Sequence, residues 1–141
     1  MKDYSDHIGI IGGGIAGLTL GCTLLKEGIP ATIFEKMLED TSHGAAISLS
    51  SNALRLLDRL GIYHDLKNQS FIHSAASIQG TQKQICEFQT PEVLTTRRKT
   101  LMSLLYSKYI NLGGEVHHDH ALENFDAVKC EATFTSQNKY I

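Results

Sequence analysis

Residues 7–35, HIGIIGGGIAGLTLGCTLLKEGIPATIFE, decide the fold of this chain of 141 residues. The apolar run over residues 7–11 ends on glycines, as does a strand that is buried on both faces. Residues 15–27 carry small and apolar side chains at helical spacing, and Gly28 is typical of the position that follows a helix. Residues 31–35 predict a second strand. Together these segments predict a βαβ unit with parallel strands.

The glycines of this stretch have the spacing of a dinucleotide-binding turn. Gly12 permits the tight turn out of the strand, Gly14 lets a pyrophosphate approach the backbone, and Gly17 lets the helix pack closely. The helix N-terminus then offers N–H groups and the positive end of the helix dipole to phosphates. Glu35 ends the second strand, at the spacing of an acid that binds a ribose hydroxyl. The sequence therefore predicts a bound adenine dinucleotide.

The alternative to this prediction is a glycine-rich turn that binds no ligand. The strand, the helix, the spacing and the terminal acid agree with one another, and this agreement disfavours the alternative. An acid rather than an arginine at position 35 disfavours the 2′-phosphate of NADP at this site. The motif alone does not separate FAD from NAD.

Composition excludes several other classes of protein. The chain has 13 Lys and Arg against 15 Asp and Glu, so no broad cationic surface is expected and nucleic acid is not a predicted partner. Its 3 cysteines lie far apart and fit neither a disulfide framework nor a CxxC metal site, which indicates the reducing cytoplasm. Glycines interrupt the N-terminal apolar run, so neither a signal peptide nor a membrane span is predicted.

The rest of the chain predicts further alternation of strands and helices. In chain order, the predictions are a strand at 45–49, a helix capped by Asn52 and ended by Gly61, a hairpin of strands at 70–78 and 84–89, a helix capped by Thr95 or Thr96 that reaches about Asn111, a strand at 115–120, a strand at 128–135, a turn at 136–139 and the start of a return strand at 140–141.

Three of these segments resemble conserved elements of the para-hydroxybenzoate-hydroxylase-like (group A, single-component) FAD-dependent monooxygenases. Residues 44–62 resemble the second conserved block of that family, and Arg98-Lys99-Thr100-Leu101 resembles its Arg-x-x-Leu element. Residues 113–116 resemble the element that approaches the adenine. Together with residues 12–35, the resemblance runs in order over nearly the whole chain.

The resemblance implies an α/β fold, namely a Rossmann-type FAD-binding domain with part of a β-rich substrate layer. It also implies that the hairpin at 70–90 belongs to the substrate side, that FAD is the cofactor, and that NAD(P)H is the co-substrate in hydroxylation of an aromatic or similar ring. No catalytic residue and no metal ligand is assigned. The cofactor-binding residues that it implies are Gly12, Gly13, Gly14, Ile15, Ala16, Gly17, Glu35, Lys36, Ala46, Arg98 and Leu122.

Within that set, the resemblance assigns the glycines to the pyrophosphate and Glu35 to the adenosine ribose. Arg98 is assigned to the phosphate and ribityl region, where a guanidinium forms fork-shaped, charge-assisted hydrogen bonds. Arg97 is the alternative if the register differs by one residue. Ala46 is assigned to the flavin side, where the family usually has glycine.

Two later motifs of the family, an Asp-Gly pair and a Gly-Asp pair, do not occur in the sequence. We therefore expect residues 1–141 to be an incomplete N-terminal FAD-binding domain, truncated at its C-terminus, that binds FAD weakly or not at all by itself. The alternatives are a truncated, non-catalytic nucleotide-binding module and another FAD- or NAD-dependent oxidoreductase that shares the fingerprint.

The run His117-His118-Asp119-His120 contains residue types that bind metals. On a strand, His118 and His120 share one face while Asp119 points to the other. At most two imidazoles would then converge, whereas zinc sites use three or four ligands. No metal site is predicted.

Overall fold

The computed structural model describes residues 7–38, 45–81 and 84–135. The chain divides into two compact units, residues 1–42 with 105–141 and residues 43–104, and each is described by itself. The elements, in order, are β1 (Ile8–Ile11), α1 (Ile15–Lys26), β2 (Ala31–Phe34), β3 (Ala46–Leu49), α2 (Ser51–Leu60), α3 (Tyr63–Lys67), β4 (Phe71–Gln79), β5 (Gln84–Arg97), α4 (Arg98–Asn111), β6 (Glu115–His117), β7 (Ala121–Asp126) and β8 (Glu131–Thr135).

The first unit contains a parallel sheet with strand order β1-β2-β6. Ile8 pairs with Ala31 at one end of the sheet, and Phe34 pairs with His117 at the other. Helix α1 connects β1 to β2, and Gly28 follows it with a φ of +76°. The predicted βαβ unit and the α/β class are confirmed.

Tyr109 of α4 is fully buried in the first unit and connects the helix to the sheet. Its hydroxyl donates to the carbonyl oxygen of Ala31 at 2.8 Å and lies 3.2 Å from that of Glu115. A side chain at Gly114 would overlap the Tyr109 ring, and a Cβ at Gly21 would lie 2.6 Å from it. The two glycines therefore leave the room that the ring occupies.

The C-terminal part of the described chain is a hairpin, β7 paired with β8, rather than the predicted single strand at 128–135. Residues 127–130 form the turn, in which Cys130 has a φ of +54°. The Asp126 carboxylate accepts hydrogen bonds from the N–H groups of Val128 and Lys129. This side-chain-to-backbone bonding makes a turn where the alternating pattern alone indicated a strand. The predicted turn and return strand at 136–141 lie outside the described residues.

The strand predicted at 115–120 is also shorter than expected, because β6 ends at His117. Asp119 has a φ of +61°, and its N–H donates to the carbonyl oxygen of Met37. The histidines therefore do not alternate across a strand, and the predicted placement of His118 and His120 on one strand face is wrong.

The second unit contains an antiparallel sheet with strand order β3-β5-β4. The strands predicted at 45–49, 70–78 and 84–89 are present, but β5 continues to Arg97. Thr95 and Thr96 consequently lie in β5 and do not cap α4. Thr95 instead forms a hydroxyl–hydroxyl hydrogen bond of 2.9 Å with Ser48 on β3. The strand ladder has overridden the local preference of threonine for a helix cap.

Helix α2 lies in the second unit and buries Leu54, Leu57 and Leu60. It ends at Gly61 in the left-handed conformation, with a φ of +76°. Its N-cap residue is Ser50 rather than Asn52, whose side-chain oxygen accepts a hydrogen bond from Arg55 instead. The predicted cap was therefore wrong by two positions.

Candidate cofactor site

The turn from β1 into α1 is built from glycines that are needed for different reasons. Gly12 has a φ of +99°, which favours glycine, and its N–H donates to the carbonyl oxygen of Phe34 at 2.8 Å. A side chain at Gly17 would overlap the carbonyl oxygen of Gly12. Helix α1 therefore begins directly against the end of β1.

The N-terminus of α1 is uncapped by any side chain. Gly14 is the N-cap residue, and the first turn carries no acidic residue. The first hydrogen bond of the helix runs from the N–H of Leu18 to the carbonyl oxygen of Gly14, so the N–H groups of Ile15, Ala16 and Gly17 precede the helical ladder. This end of the helix presents donors and positive dipole charge.

The main chain of this turn is open to a ligand. A Cβ built at Gly12 or at Gly14 would meet no atom of the protein within 4 Å. A phosphate group can therefore approach the main chain at both positions, and at Gly14 this is the role of the glycine in such turns.

Glu35 lies at this turn, immediately after β2. Its Oε2 accepts a hydrogen bond of 2.6 Å from the N–H of Gly13, and its Oε1 accepts one of 2.9 Å from the N–H of Met37. The structure therefore brings together the glycines and the acid that the sequence predicted as one site. Lys36 follows Glu35 and is exposed.

Leu122 also belongs to the first unit, where it lies on β7 opposite Phe134 and is exposed. Ala46 and Arg98 belong to the second unit. Ala46 is exposed and pairs with Arg97 across β3 and β5, and the N–H of Arg98 donates to the carbonyl oxygen of Ala45 at 3.4 Å.

Phe34 and Phe134, which the sequence did not single out, form an aromatic cluster beside β2 with His117 and His120. The Phe34 ring stacks on Phe134 at 4.7 Å and on His117 at 5.2 Å between centroids. The His120 ring lies 5.8 Å from both phenylalanine rings. The cluster attaches β8 to the parallel sheet. The sequence did show an aromatic residue, Phe34, next to the acid that ends β2. Its partners in the cluster are distant in sequence, so the cluster could not be predicted from that residue.

The histidines of this region make contacts with the backbone. His118 Nδ1 lies 3.2 Å from the carbonyl oxygen of Met37, and His120 Nδ1 lies 2.6 Å from that of His118. Within residues 7–38, 45–81 and 84–135, no group of three or more His, Cys, Asp or Glu side chains could hold a metal ion.

Comparison with known proteins identifies the family. The model of the family described as FAD binding domain matches residues 6–139. The chain belongs to this family. FAD is therefore the cofactor to which its fold corresponds, and the resemblance drawn from the sequence is confirmed.

Relatives of this FAD binding domain include proteins named as monooxygenases. It is 34% identical over 129 residues to an FAD-dependent monooxygenase of Penicillium shearii, and 43% identical over 70 residues to a 3-amino-4-hydroxybenzoate 2-monooxygenase of Streptomyces platensis. The matches cover 78% and 50% of this chain, and 27% and 18% of those proteins. The chain thus spans less than a third of the length of these relatives.

Solved structures show the same fold. A crystal structure of 2-methyl-3-hydroxypyridine-5-carboxylic acid oxygenase matches with a TM-score of 0.82 at 25% identity, over 96% of this chain and 37% of that one. The p-nitrophenol 4-monooxygenase of Pseudomonas putida matches with a TM-score of 0.83 at 16% identity, over 96% of this chain and 38% of that one.

The described residues of this FAD binding domain include no helix long and apolar enough to cross a membrane.

The residues of the first unit fit a dinucleotide. Open space above Gly12 and Gly14 accommodates a pyrophosphate, the uncapped end of α1 complements its charge, and Glu35 provides a carboxylate at the same turn.

Proposed function

We propose that this chain is the FAD-binding portion of an NAD(P)H-dependent flavin monooxygenase that hydroxylates an aromatic or similar ring. The observation that carries the proposal is the contact between Glu35 and Gly13, which places a carboxylate beside an uncapped helix N-terminus. The relatives named as monooxygenases support the reaction class, and one of them is named for an aminohydroxybenzoate.

The glycine turn would hold the pyrophosphate of FAD. The donors are the N–H groups of Ile15, Ala16 and Gly17, which precede the helical ladder. Gly12 and Gly14 would let the phosphates come close because no side chain covers the backbone there.

Glu35 would bind the adenosine ribose. Each carboxylate oxygen already accepts one backbone N–H, and each retains a further acceptor position for a ribose hydroxyl. Lys36 and Leu122 are proposed to flank the same part of the cofactor, since Lys36 follows Glu35 directly and both residues are exposed.

Ala46 and Arg98 are proposed to serve the flavin side of the cofactor. Arg98 would supply a fork of charged donors to the phosphate and ribityl region. Arg97 remains the alternative, because it is exposed and adjacent. We also propose that the hairpin over residues 70–90 belongs to a substrate-side layer, and that the intact protein acts in the cytoplasm.

FAD, when bound and reduced by NAD(P)H, supplies the activation of dioxygen and the transfer of one oxygen atom to the ring. The residues of this chain contribute the binding and orientation of the cofactor. They do so with backbone donors, which are fixed in place before the ligand arrives.

The test uses the full-length gene product that contains this chain. We expect it to purify with FAD, to oxidise NAD(P)H faster when phenolic or aminobenzoate acids are added, and to incorporate ¹⁸O from labelled dioxygen into the product. A Ser103→Ala variant, at an exposed position of α4, serves as the unaffected control.

Two outcomes would contradict the proposal. Retention of FAD without aromatic-dependent NAD(P)H oxidation would identify a non-catalytic module. Oxidation of a substrate without incorporation of ¹⁸O would identify another flavin-dependent oxidoreductase. The 141-residue chain alone is expected to bind FAD weakly, and a tight one-to-one complex in a fluorescence titration would contradict that expectation.

A further inference from the structure

Glu35 joins three segments of the first unit through hydrogen bonds. Its carboxylate accepts from the N–H of Gly13 at 2.6 Å and from the N–H of Met37 at 2.9 Å. Its backbone N–H donates to the carbonyl oxygen of His117 at 2.8 Å, and its carbonyl oxygen accepts from the N–H of His120 at 2.9 Å. The residue thus connects the glycine turn, its own turn, and the end of β6 with the residues that follow it.

Gly13 packs against the Glu35 side chain, unlike the glycines on either side of it. A Cβ at Gly13 would lie 3.2 Å from Glu35 Cβ and 3.3 Å from Glu35 Oε2, whereas a Cβ at Gly12 or Gly14 would meet nothing. The dinucleotide-binding pattern accepts any residue between its first two glycines. In this chain that position is Gly13, the middle of three consecutive glycines, and it makes room for the acid.

We propose that Glu35 is a positioning residue for the glycine turn, in addition to any contact with ribose. Its carboxylate holds the Gly13 N–H in the absence of nucleotide and so keeps the turn in the shape that receives a pyrophosphate. The assignment of a nucleotide to this turn rests on the proposed function. The restraint of the turn by the hydrogen bond between the Gly13 N–H and the Glu35 carboxylate, called the brace below, does not.

The physical consequence is a lower cost of binding. A turn that is already ordered loses less conformational freedom when an anion binds to it. A hydrogen bond to a charged acceptor is stronger than one between neutral groups, so the carboxylate is well suited to restrain the turn. A residue that only bound ribose would have no such effect on the empty site.

The first experiment measures amide hydrogen exchange in the ¹⁵N-labelled, nucleotide-free 141-residue chain. We expect Glu35→Gln to accelerate exchange at Gly13 by about tenfold, because a carboxamide replaces the charged acceptor and local opening becomes easier. Glu123→Gln, which changes an exposed glutamate on β7, should leave the Gly13 exchange rate unchanged. Unchanged exchange at Gly13 in Glu35→Gln would overturn the proposal.

The second experiment measures the affinities of ADP and of 2′,3′-dideoxy-ADP, which lacks both ribose hydroxyls, by chemical-shift titration. We expect Glu35→Gln to weaken the binding of both nucleotides by about three- to tenfold, which corresponds to the loss of one hydrogen bond. A loss for ADP with no loss for the dideoxy nucleotide would show that Glu35 only binds ribose, and would overturn the proposal.

Gly13→Ala provides a second route that leaves the carboxylate intact. Its methyl group would lie 3.2 Å from Glu35 Cβ and 3.3 Å from Oε2, so the Glu35 side chain would have to move by a few tenths of an ångström and its hydrogen bond to the Gly13 N–H would weaken. We expect it to reproduce the effects of Glu35→Gln on dideoxy-ADP, and the double variant to be little worse than either single variant, because the two changes break one interaction. Additive losses would overturn the proposal.

The two proposals fail in different ways. A full-length protein, freed of FAD, that binds neither nucleotide at millimolar concentration would contradict the assigned nucleotide site, and the exchange rate at Gly13 would still show whether the Glu35 carboxylate restrains the turn. Normal nucleotide binding with exchange insensitive to Glu35→Gln would overturn the brace alone.

Discussion

The carbonyl oxygen of Gly12 occupies the position in which a side chain on Gly17 would have to lie. Gly12 needs its positive φ to leave β1, and this conformation directs its carbonyl group against the first turn of α1. The two glycines are therefore required together, one for the backbone conformation and the other for the space. Gly14 lies between them in sequence. The fold does not require glycine there for conformation or for space, because its φ is −76° and the space around it is open.

Gly17→Ala and Gly14→Ala should consequently differ in their effects. We expect Gly17→Ala to lower the free energy of unfolding by about 1–3 kcal/mol, the usual cost of overpacking, because its methyl group would overlap backbone. Gly14→Ala should change stability by less than about 1 kcal/mol and weaken FAD or ADP binding, because its methyl group occupies the space left for phosphate. Urea unfolding and nucleotide titration of both variants check this, and equal losses of stability would contradict it.

Tyr109→Phe should destabilise the first unit through loss of the hydroxyl alone. The ring would remain in the space beside Gly114, but the carbonyl oxygen of Ala31 would lose its donor. We expect a loss of about 1 kcal/mol in the free energy of unfolding. Tyr106→Phe, at an exposed position of the same helix, should change it by no more than about 0.5 kcal/mol. A Tyr109→Phe variant as stable as wild type would show that the hydroxyl contributes nothing.

Cys22 should make stability depend on alkaline pH. Burial raises the pKa of its thiol to about 11, and the Lys108 charge opposes part of that rise. The folded pKa is above that of the unfolded chain, so the stabilisation is complete below about pH 8.5 and is lost as the pH rises towards 11. We expect a decrease of about 1–2 kcal/mol in the free energy of unfolding over this interval.

Burial also raises the pKa of Tyr109, which acts in the same direction at higher pH. The controls are therefore Cys22→Ala and Tyr109→Phe. The free energy of unfolding of each variant is measured with urea at several pH values from about 8 to about 11. Cys22→Ala should be less stable at every pH because of the cavity, and should lose less stability as the pH rises. A pH dependence equal to that of wild type would contradict the role of the thiol.

Arg98→Ala should weaken FAD retention in the intact protein more than Arg97→Ala. A guanidinium at the phosphate and ribityl region makes charge-assisted hydrogen bonds, and its loss should reduce affinity by about tenfold or more. Both residues are exposed, so neither change should alter the free energy of unfolding by more than about 0.5 kcal/mol. Equal effects on flavin content would refute the assignment of Arg98.

Features that depend on neighbouring residues were predicted well from the sequence. The boundaries of the elements from β1 to β2 were predicted to within one residue, because apolar spacing and glycines act over one or two turns of chain. Gly61 was identified as the end of α2 for the same reason. The end of β5 was missed, since Thr95 is held in the strand by its partner Ser48, which is 47 residues away.

The turn at 127–130 was missed although its cause is local. The carboxylate of Asp126 accepts two backbone N–H groups, and the clean alternation of apolar residues around it hid that signal. The placement of His118 and His120 was wrong because the chain leaves the strand after His117 to bond to the segment that contains Glu35 and Met37. Pairing with that segment determines where β6 ends.

For the site, the sequence by itself determined that glycines end a strand and open a helix, and that an acid ends the next strand. These follow from backbone sterics and from the fixed geometry of a βαβ unit. Only the tertiary structure decided that the Glu35 carboxylate would accept the Gly13 N–H, and that Tyr109 would fill the space beside Gly21 and Gly114. Gly13 is 22 residues from Glu35, and Gly21 is still further from Tyr109, so the geometry of these contacts exists only once the sheet has aligned its strands and α4 has packed on it.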